Sequence, residues 1–234
     1  FDDIDSTNTE AKRQLLAGMI TKPTAIIADK QTAGYGRHGR DFYSPSAVGV
    51  YLSFVWPLQD EEIVNPGQIT TGLAVAAAEA IADVLQIEVG IKWVNDLYYL
   101  GHKVAGILVE VQNKALVVGI GININPTDYP ADIQGKVGAL TSQQIDRNVL
   151  ASRLIQNFDY YFTAANMADM MALYRKRSLV IGQPVNLLLN HREIQGIVTM
   201  IQADGGLVVQ TEQGKQVFYS GEITKLNLPK WRYS

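Results

Sequence analysis

The sequence predicts an α+β fold, with residues 1–180 as one large domain and residues 181–234 as a small β-barrel. Three observations lead there. Residues 69–85 are rich in alanine and form the clearest helix of the chain. Residues 104–111 and 115–124 are apolar, and only Gln112-Asn113-Lys114 separates them, a turn short enough for an antiparallel hairpin. Beyond Gly182 the pattern changes to short runs at 184–189, 193–201, 206–210 and 215–219, the grammar of a small barrel.

The remaining elements follow in order. Thr7 with Glu10 three residues later fits a capping box, and Gly18 fits the end of the helix it opens. Residues 24–28 are short, apolar and β-branched, a buried strand. A polar, glycine-rich stretch covers 31–45, and the strand at 48–56 places Val48, Val50, Leu52 and Phe54 on alternate positions. Residues 89–93 form a further strand, joined to 104–111 by Asn95-Asp96 and a segment carrying Gly101-His102-Lys103. Residues 125–140 read as a loop, and 150–162 and 167–177 as helices.

Composition narrows the function. The 234 residues are 47% hydrophobic and 18% charged, which favours collapse over disorder. A chain of this length buries roughly 70% of its unfolded surface and needs no disulfide or metal staple. Twenty basic against 23 acidic residues give a net charge of −3, which argues against a surface built throughout for nucleic acid. With no cysteine there is no thiol nucleophile or thiolate site, and His38, His102 and His191 are too scattered for a zinc constellation. No apolar run reaches the roughly 20 residues that cross a bilayer, and no signal-peptide pattern is present, so a soluble cytoplasmic protein is expected. The chain begins at Phe1 without a methionine, which is compatible with a preceding segment.

Five segments carry polar or glycine-rich patterns. Gly34-Tyr35-Gly36-Arg37-His38-Gly39-Arg40 matches G-x-G-x-x-G, where glycines let backbone amides approach phosphate and arginines add cationic forks. Ser44-Pro45 follows as extended chain rather than a helix, which disfavours a dinucleotide fold. In Lys92-Trp93-Val94-Asn95-Asp96, the Asn-Asp pair alone reads equally as a turn. Lys103 before Val104-Ala105-Gly106-Ile107-Leu108-Val109-Glu110 is either an exposed strand-start lysine or one aimed into a cleft, with Gly106 as a bulge or a place of close approach. Gly119 and Gly121 in Gly119-Ile120-Gly121-Ile122-Asn123 weaken a strand unless something packs against them. Ser6-Thr7-Asn8 reads first as helix capping.

Taken in chain order from Asp5-Ser6-Thr7-Asn8, these segments together with Gln31-Thr32-Ala33-Gly34 resemble the biotin protein ligases. The resemblance covers essentially the entire chain, including a C-terminal region similar to that family's SH3-like barrel. It implies a mixed-sheet catalytic domain related to class II aminoacyl-tRNA synthetases and lipoate ligases. It also implies an ATP-dependent ligase that uses Mg²⁺, joins biotin to ATP with release of pyrophosphate, and holds biotinyl-5′-AMP. Biotin then passes to a lysine of a biotin carboxyl carrier domain. Carried over by motif, Ser6, Thr7, Asn8 and Gln31 fall at the ureido end of biotin, and Tyr35, Gly36 and Arg37 fold over biotin and the adenylate. Gly34, Arg40 and Phe42 belong to the nucleotide side, with Arg40 toward phosphate. Lys103, with Gly106 beside it, meets the biotin carboxylate and acyl phosphate; Lys92, Asn95 and Asp96 surround the reacting centre; Asn123 lies near the adenosine. The catalytic set is then Lys103, Arg37, Asp96 and Lys92, without a protein metal site, and residues 125–140 are a second covering loop. Alone, both loops are expected to be disordered and to order on ligand binding.

Two departures stand out. Tyr35 occupies a place where family members often carry a basic residue, and Phe42 one where they carry tryptophan, so the loop lacks one charge and one indole donor. Family precedent gives a homodimer built through the catalytic sheet. A lipoate or octanoyl ligase or transferase of the same fold is the alternative, although its glycine loop has another pattern. An adenylate-sensing repressor would need an N-terminal DNA-binding domain; residues 1–234 present no helix-turn-helix with a basic recognition helix, so neither nucleic acid nor membrane is expected as a partner.

Overall fold

A computed structural model describes residues 1–59 and 65–225. The chain runs β1 (Asp3–Ile4), α1 (Thr7–Leu16), β2 (Thr24–Ala28), β3 (Lys30–Gln31), β4 (Gly49–Pro57) and α2 (Pro66–Leu85). Next come β5 (Gly90–Lys92), β6 (Asp96–Tyr99), β7 (His102–Gln112), β8 (Ala115–Asn123), α3 (Arg147–Thr163) and α4 (Met167–Arg177). The C-terminal part is β9 (Pro184–Leu189), β10 (Arg192–Ile201), β11 (Leu207–Thr211), β12 (Gly214–Phe218) and β13 (Glu222–Lys225). Residues 226–234 of the expected barrel lie outside the described residues.

The central sheet has the order β2-β4-β8-β7-β6-β5 and pairs antiparallel throughout. Each face is covered by helices. Val50, Leu52, Phe54, Ile107, Val118, Ile120 and Ile122 join the core under α2, α3 and α4. On the opposite face Val55, Val117 and Ile26 pack with Ala11, Leu15 and Ile20 around α1. The alternation expected in β4 is therefore real but both sets are buried, because α1 closes the side that would otherwise face water.

Local chemistry sets the element ends. The cap of α1 is Ser6, whose side chain accepts from Thr9 N, and not Thr7, which is already the first helical residue. Gly18 takes φ +68°, the left-handed position that ends helices cheaply. Helix α2 starts with Pro66 behind Asn65, whose side chain accepts from the amides of Gly67 and Gln68. By length and composition α2 could cross a membrane, against expectation, but 61% of its apolar window is buried inside the protein. It is apolar on most sides because sheet, α3 and α4 surround it. Strand β6 falls where the sequence suggested only a connection, since Leu97-Tyr98-Tyr99 is too short to show alternation.

The C-terminal sheet has the order β12-β11-β10-β9-β13. It is joined to the larger sheet by side-chain bonds rather than strand pairing. Trp93 Nε1 donates to Gly205 O at 2.9 Å, and Arg175 Nε donates to Ile201 O at 2.7 Å.

Candidate active site

The antiparallel register lines up the chemistry. Lys92 on β5 pairs with Asp96 on β6, Asp96 with Gly106 on β7, Gly106 with Gly121 on β8, and Gly121 with Tyr51 on β4. Directly opposed residues share a face, so this row runs across the sheet on the α1 side. Two residues along, the next row holds Leu108, Gly119 and Ser53. The glycines leave shallow floors that neighbours fill. A Cβ on Gly119 would stand 2.4 Å from Asn8 Oδ1, and one on Gly121 would stand 2.2 Å from the Phe42 ring. That is the close packing two strand glycines call for.

At the Gly119 row, the start of α1 meets the sheet in a polar cluster. Ser6, Thr7 and Asn8 are all buried, as is Ser53, whose hydroxyl lies between Thr7 Oγ1 and Asn8 Oδ1. Gln31 Oε1 accepts from Thr7 N at 2.8 Å, and its amide donates to Ser44 Oγ at 2.9 Å. Donors and acceptors are thus fixed in direction and shielded from water, which suits a neutral, planar polar ligand.

The glycine–arginine loop closes on itself. Gly36 N donates to Arg40 O at 2.7 Å and Phe42 N to Gly34 O at 2.8 Å, so these amides are taken by the loop and not offered to phosphate. Gly34 is needed for close approach, because a Cβ there would meet Gln31, Phe42 and Ser44 at 2.8 Å each. Three side chains tie the loop down. Tyr35 bonds to Lys12 and Glu110, Arg37 Nη1 donates to Asn95 Oδ1 at 3.3 Å, and Arg40 forms a two-pronged pair with Glu222 of β13. Asn95 is itself held by its own donation to Ile107 O at 2.8 Å.

Lys103 lies over Gly106, its ammonium 2.7 Å from Asp96 Oδ1. A Cβ on Gly106 would be 3.2 Å from Lys103 Nζ, so the space the glycine leaves is used by this lysine. The second loop holds the Lys103 main chain from both sides: Lys103 N donates to Lys136 O at 3.1 Å and accepts at its carbonyl from Gly138 N at 2.9 Å. Asn123 ends β8 one step beyond Gly121 and is buried.

Arg37, Arg40, Lys92 and Lys103 therefore converge on one end of the row, facing Asp96 and Glu222. Burial pulls Lys92 below the ordinary lysine range, against the opposing pull of Asp96 and Glu222. Burial likewise lowers Arg37, with Asp96 and Glu222 opposing it. Arg40, by hydrogen bonding, holds Glu222 below the usual carboxylate range, against burial. Such a concentration of cations fits a polyanion. Sequence reasoning missed Lys12, Glu110 and Glu222. Glu110 closes the Gly-Ile-Leu-Val-Glu run, and its place on the α1 face was legible from strand parity; Lys12 and Glu222 gave no local signal.

Residues 1–126 match the model of the Biotin/lipoate A/B protein ligase family, and residues 180–226 match the Biotin protein ligase C terminal domain. The bifunctional ligase/repressor BirA of Escherichia coli is 31% identical over 233 residues, covering 94% of this chain and 71% of that protein. The chain belongs to the biotin protein ligase family. The biotin--[acetyl-CoA-carboxylase] ligase of Mycobacterium tuberculosis is 30% identical, with 94% of this chain and 86% of that one covered. Among solved structures, the biotin protein ligase of Aquifex aeolicus in complex with biotin and ATP superposes with a TM-score of 0.84 at 30% identity, covering 96% of each chain. The polar cluster at the Gly119 row and the lysines and arginines at the Gly106 row fall within the residues that this family model matches.

Proposed function

We propose that this chain is an ATP-dependent biotin protein ligase that makes biotinyl-5′-AMP and transfers biotin to a lysine of a biotin carboxyl carrier domain. One observation carries the reading: a buried polar cluster at the Gly119 row and a cationic cluster at the Gly106 row share one face of the sheet, one step apart. Biotin lies with its ureido end among Ser6, Thr7, Asn8 and Gln31 and its carboxylate toward Lys103. That carboxylate attacks the α-phosphorus, the bond to the bridging oxygen breaks, and pyrophosphate leaves with the electron pair. Lys103 offsets the repulsion between carboxylate and phosphate, while Arg37, Arg40 and Lys92 meet the charge of the triphosphate. Mg²⁺ enters with the nucleotide and offsets part of that charge.

In the second half-reaction the acceptor lysine amine attacks the acyl carbonyl, an amide forms and AMP leaves. Asp96 accepts the proton the amine sheds. The two loops exclude water from the mixed anhydride. Phe42 and Asn123 flank the nucleoside end.

Residues 1–180 form the catalytic domain and 181–234 the C-terminal domain, which contributes Glu222 to the site. Strand β6 stops opposite Gly106 and leaves the β7 edge beyond Ile107 free of a strand partner among the described residues, which supports a homodimer through that edge. A cytoplasmic location suits a reaction that consumes ATP. The test is incubation with biotin, Mg-ATP and a carboxylase carrier domain, read by mass. Addition of one biotinyl group to the carrier supports the reading. Modification by lipoate or octanoate in place of biotin would replace it with the related transferase chemistry.

A further inference from the structure

The three ties of the glycine–arginine loop differ in kind. Arg37 and Arg40 hold partners they can exchange: a neutral amide at 3.3 Å and an ion pair in which Arg40 is largely exposed. Both cations stand at the row where a triphosphate needs them. Tyr35 is held otherwise. Its hydroxyl donates to Glu110 Oε2 at 3.0 Å and accepts from Lys12 Nζ at 3.0 Å. Lys12 Nζ reaches Glu110 Oε1 at 2.6 Å, closing a ring of three groups, and also lies 5.5 Å from the centre of the Tyr35 ring. Glu110 Oε2 accepts in addition from Asn8 Nδ2 at 3.0 Å. One carboxylate on β7 thus gathers two side chains of α1 and one of the loop.

Position separates this cluster from the chemistry. Glu110 lies four residues along β7 from Gly106, about 13 Å at the rise of an antiparallel strand. Phosphates at the Gly106 row do not reach it, so the charge of the nucleotide does not compete for Lys12. Strand parity puts Glu110 on the same face as Gly106, and the intervening row carries Asn8 over Gly119.

We propose that Glu110 is a positioning residue which, with Lys12, clamps the Tyr35 hydroxyl and keeps the first half of the glycine–arginine loop closed over the biotin end. Arg37 and Arg40 then exchange Asn95 and Glu222 for nucleotide while the Tyr35 end stays fixed. The retained adenylate in this picture rests on the biotin ligase reading; the Tyr35–Lys12–Glu110 contacts do not.

The experiment has two arms. In the first, the ligand-free full chain is treated with trypsin, which cuts after Arg37 and Arg40 only when the loop opens. Tyr35→Phe removes the hydroxyl. Glu110→Gln sets an amide against the Lys12 ammonium while an oxygen can still serve Asn8. Each substitution should speed cleavage at these two sites about tenfold, the effect of losing a charge-assisted hydrogen bond, with the melting temperature within a few degrees of wild type. In the second arm, release of biotinyl-5′-AMP is timed for both single variants and the double. Each single should release it several-fold faster, and the double no faster than the worse single, since both break the same clamp. Unchanged cleavage in both singles, or rate effects that multiply in the double, would overturn the proposal. Failure to form the adenylate at all would count against the ligase reading and leave the trypsin arm as the measure of the clamp. Lys12→Met serves as a further check should Glu110→Gln fold poorly: it should open the loop as Tyr35→Phe does, and an unaltered loop would refute the clamp.

Discussion

The ammonium of Lys103 rests 2.7 Å from the Asp96 carboxylate, over the bare backbone of Gly106. A cation and a base are thereby kept beside each other, with the lysine's main chain gripped by the second covering loop. In the proposed reaction the carboxylate of biotin would give Lys103 a second anionic neighbour without the lysine having to travel.

Lys103→Ala should slow adenylate formation by a hundred- to a thousandfold, about 3–4 kcal/mol, the usual loss of a transition-state electrostatic contact. Lys103→Arg should recover little, because a planar fork does not fit the space a compact ammonium takes over Gly106. Single-turnover pyrophosphate release with saturating biotin and Mg-ATP measures both. A Lys103→Ala rate within a few-fold of wild type would return the residue to an ordinary strand-edge lysine.

Asp96→Asn should separate the two half-reactions. It keeps the shape of the side chain but removes the base, so transfer from preformed adenylate to a carrier domain should fall by 10²–10⁴, the range for general base loss. Adenylate synthesis should fall far less. Equal losses in both steps would show that Asp96 only holds Lys103.

Gly119→Ala tests the sheet floor. The added methyl meets Asn8 at 2.4 Å, and the polar cluster must give way. Biotin affinity measured by calorimetry should drop at least tenfold, with an overpacking cost of about 1–3 kcal/mol in urea unfolding. Wild-type biotin affinity in this variant would mean that Asn8 does not define the ureido end.

Arg37→Ala should let biotinyl-5′-AMP escape, since the loop then loses its tie to Asn95 and its contact with the adenylate. Biotinylation of bystander proteins should rise, with stability nearly unchanged because a loop arginine contributes little to the fold. Tight retention of the adenylate would rule out the covering role.

The Arg40–Glu222 pair carries a pH signature. Hydrogen bonding from Arg40 lowers Glu222 from its usual value of 4.5. A carboxylate lowered by folding contributes stability that is complete above the unfolded value and is lost as pH falls through the folded one. Wild type and Glu222→Gln should therefore differ modestly in urea midpoint at pH 7, and the gap should narrow as the pH falls below the usual value of 4.5. A gap that stays constant down to pH 3 would mean the pair adds nothing through ionisation.

Regular periodicity made most elements legible: β2, α4 and β9 fall where the residues placed them. What escaped lacks period. Strand β6 is four residues long, and its identity comes from pairing with β7 rather than from its own pattern. The site was legible as five ordered segments, yet not as a row, because cross-strand register is set by pairing partners far apart in sequence. Residues 34–40 looked loose because three glycines suggest freedom. Their order comes from Lys12, Glu110 and Glu222, side chains whose separation in sequence hides the contact.

Helix α2 leaves the ribosome long before its neighbours. During synthesis its largely apolar residues are made before the α3 and α4 residues that wrap it, with β5 to β8 all intervening. Until those residues are made, the apolar surface of α2 lacks the two helices that bury it in the finished fold.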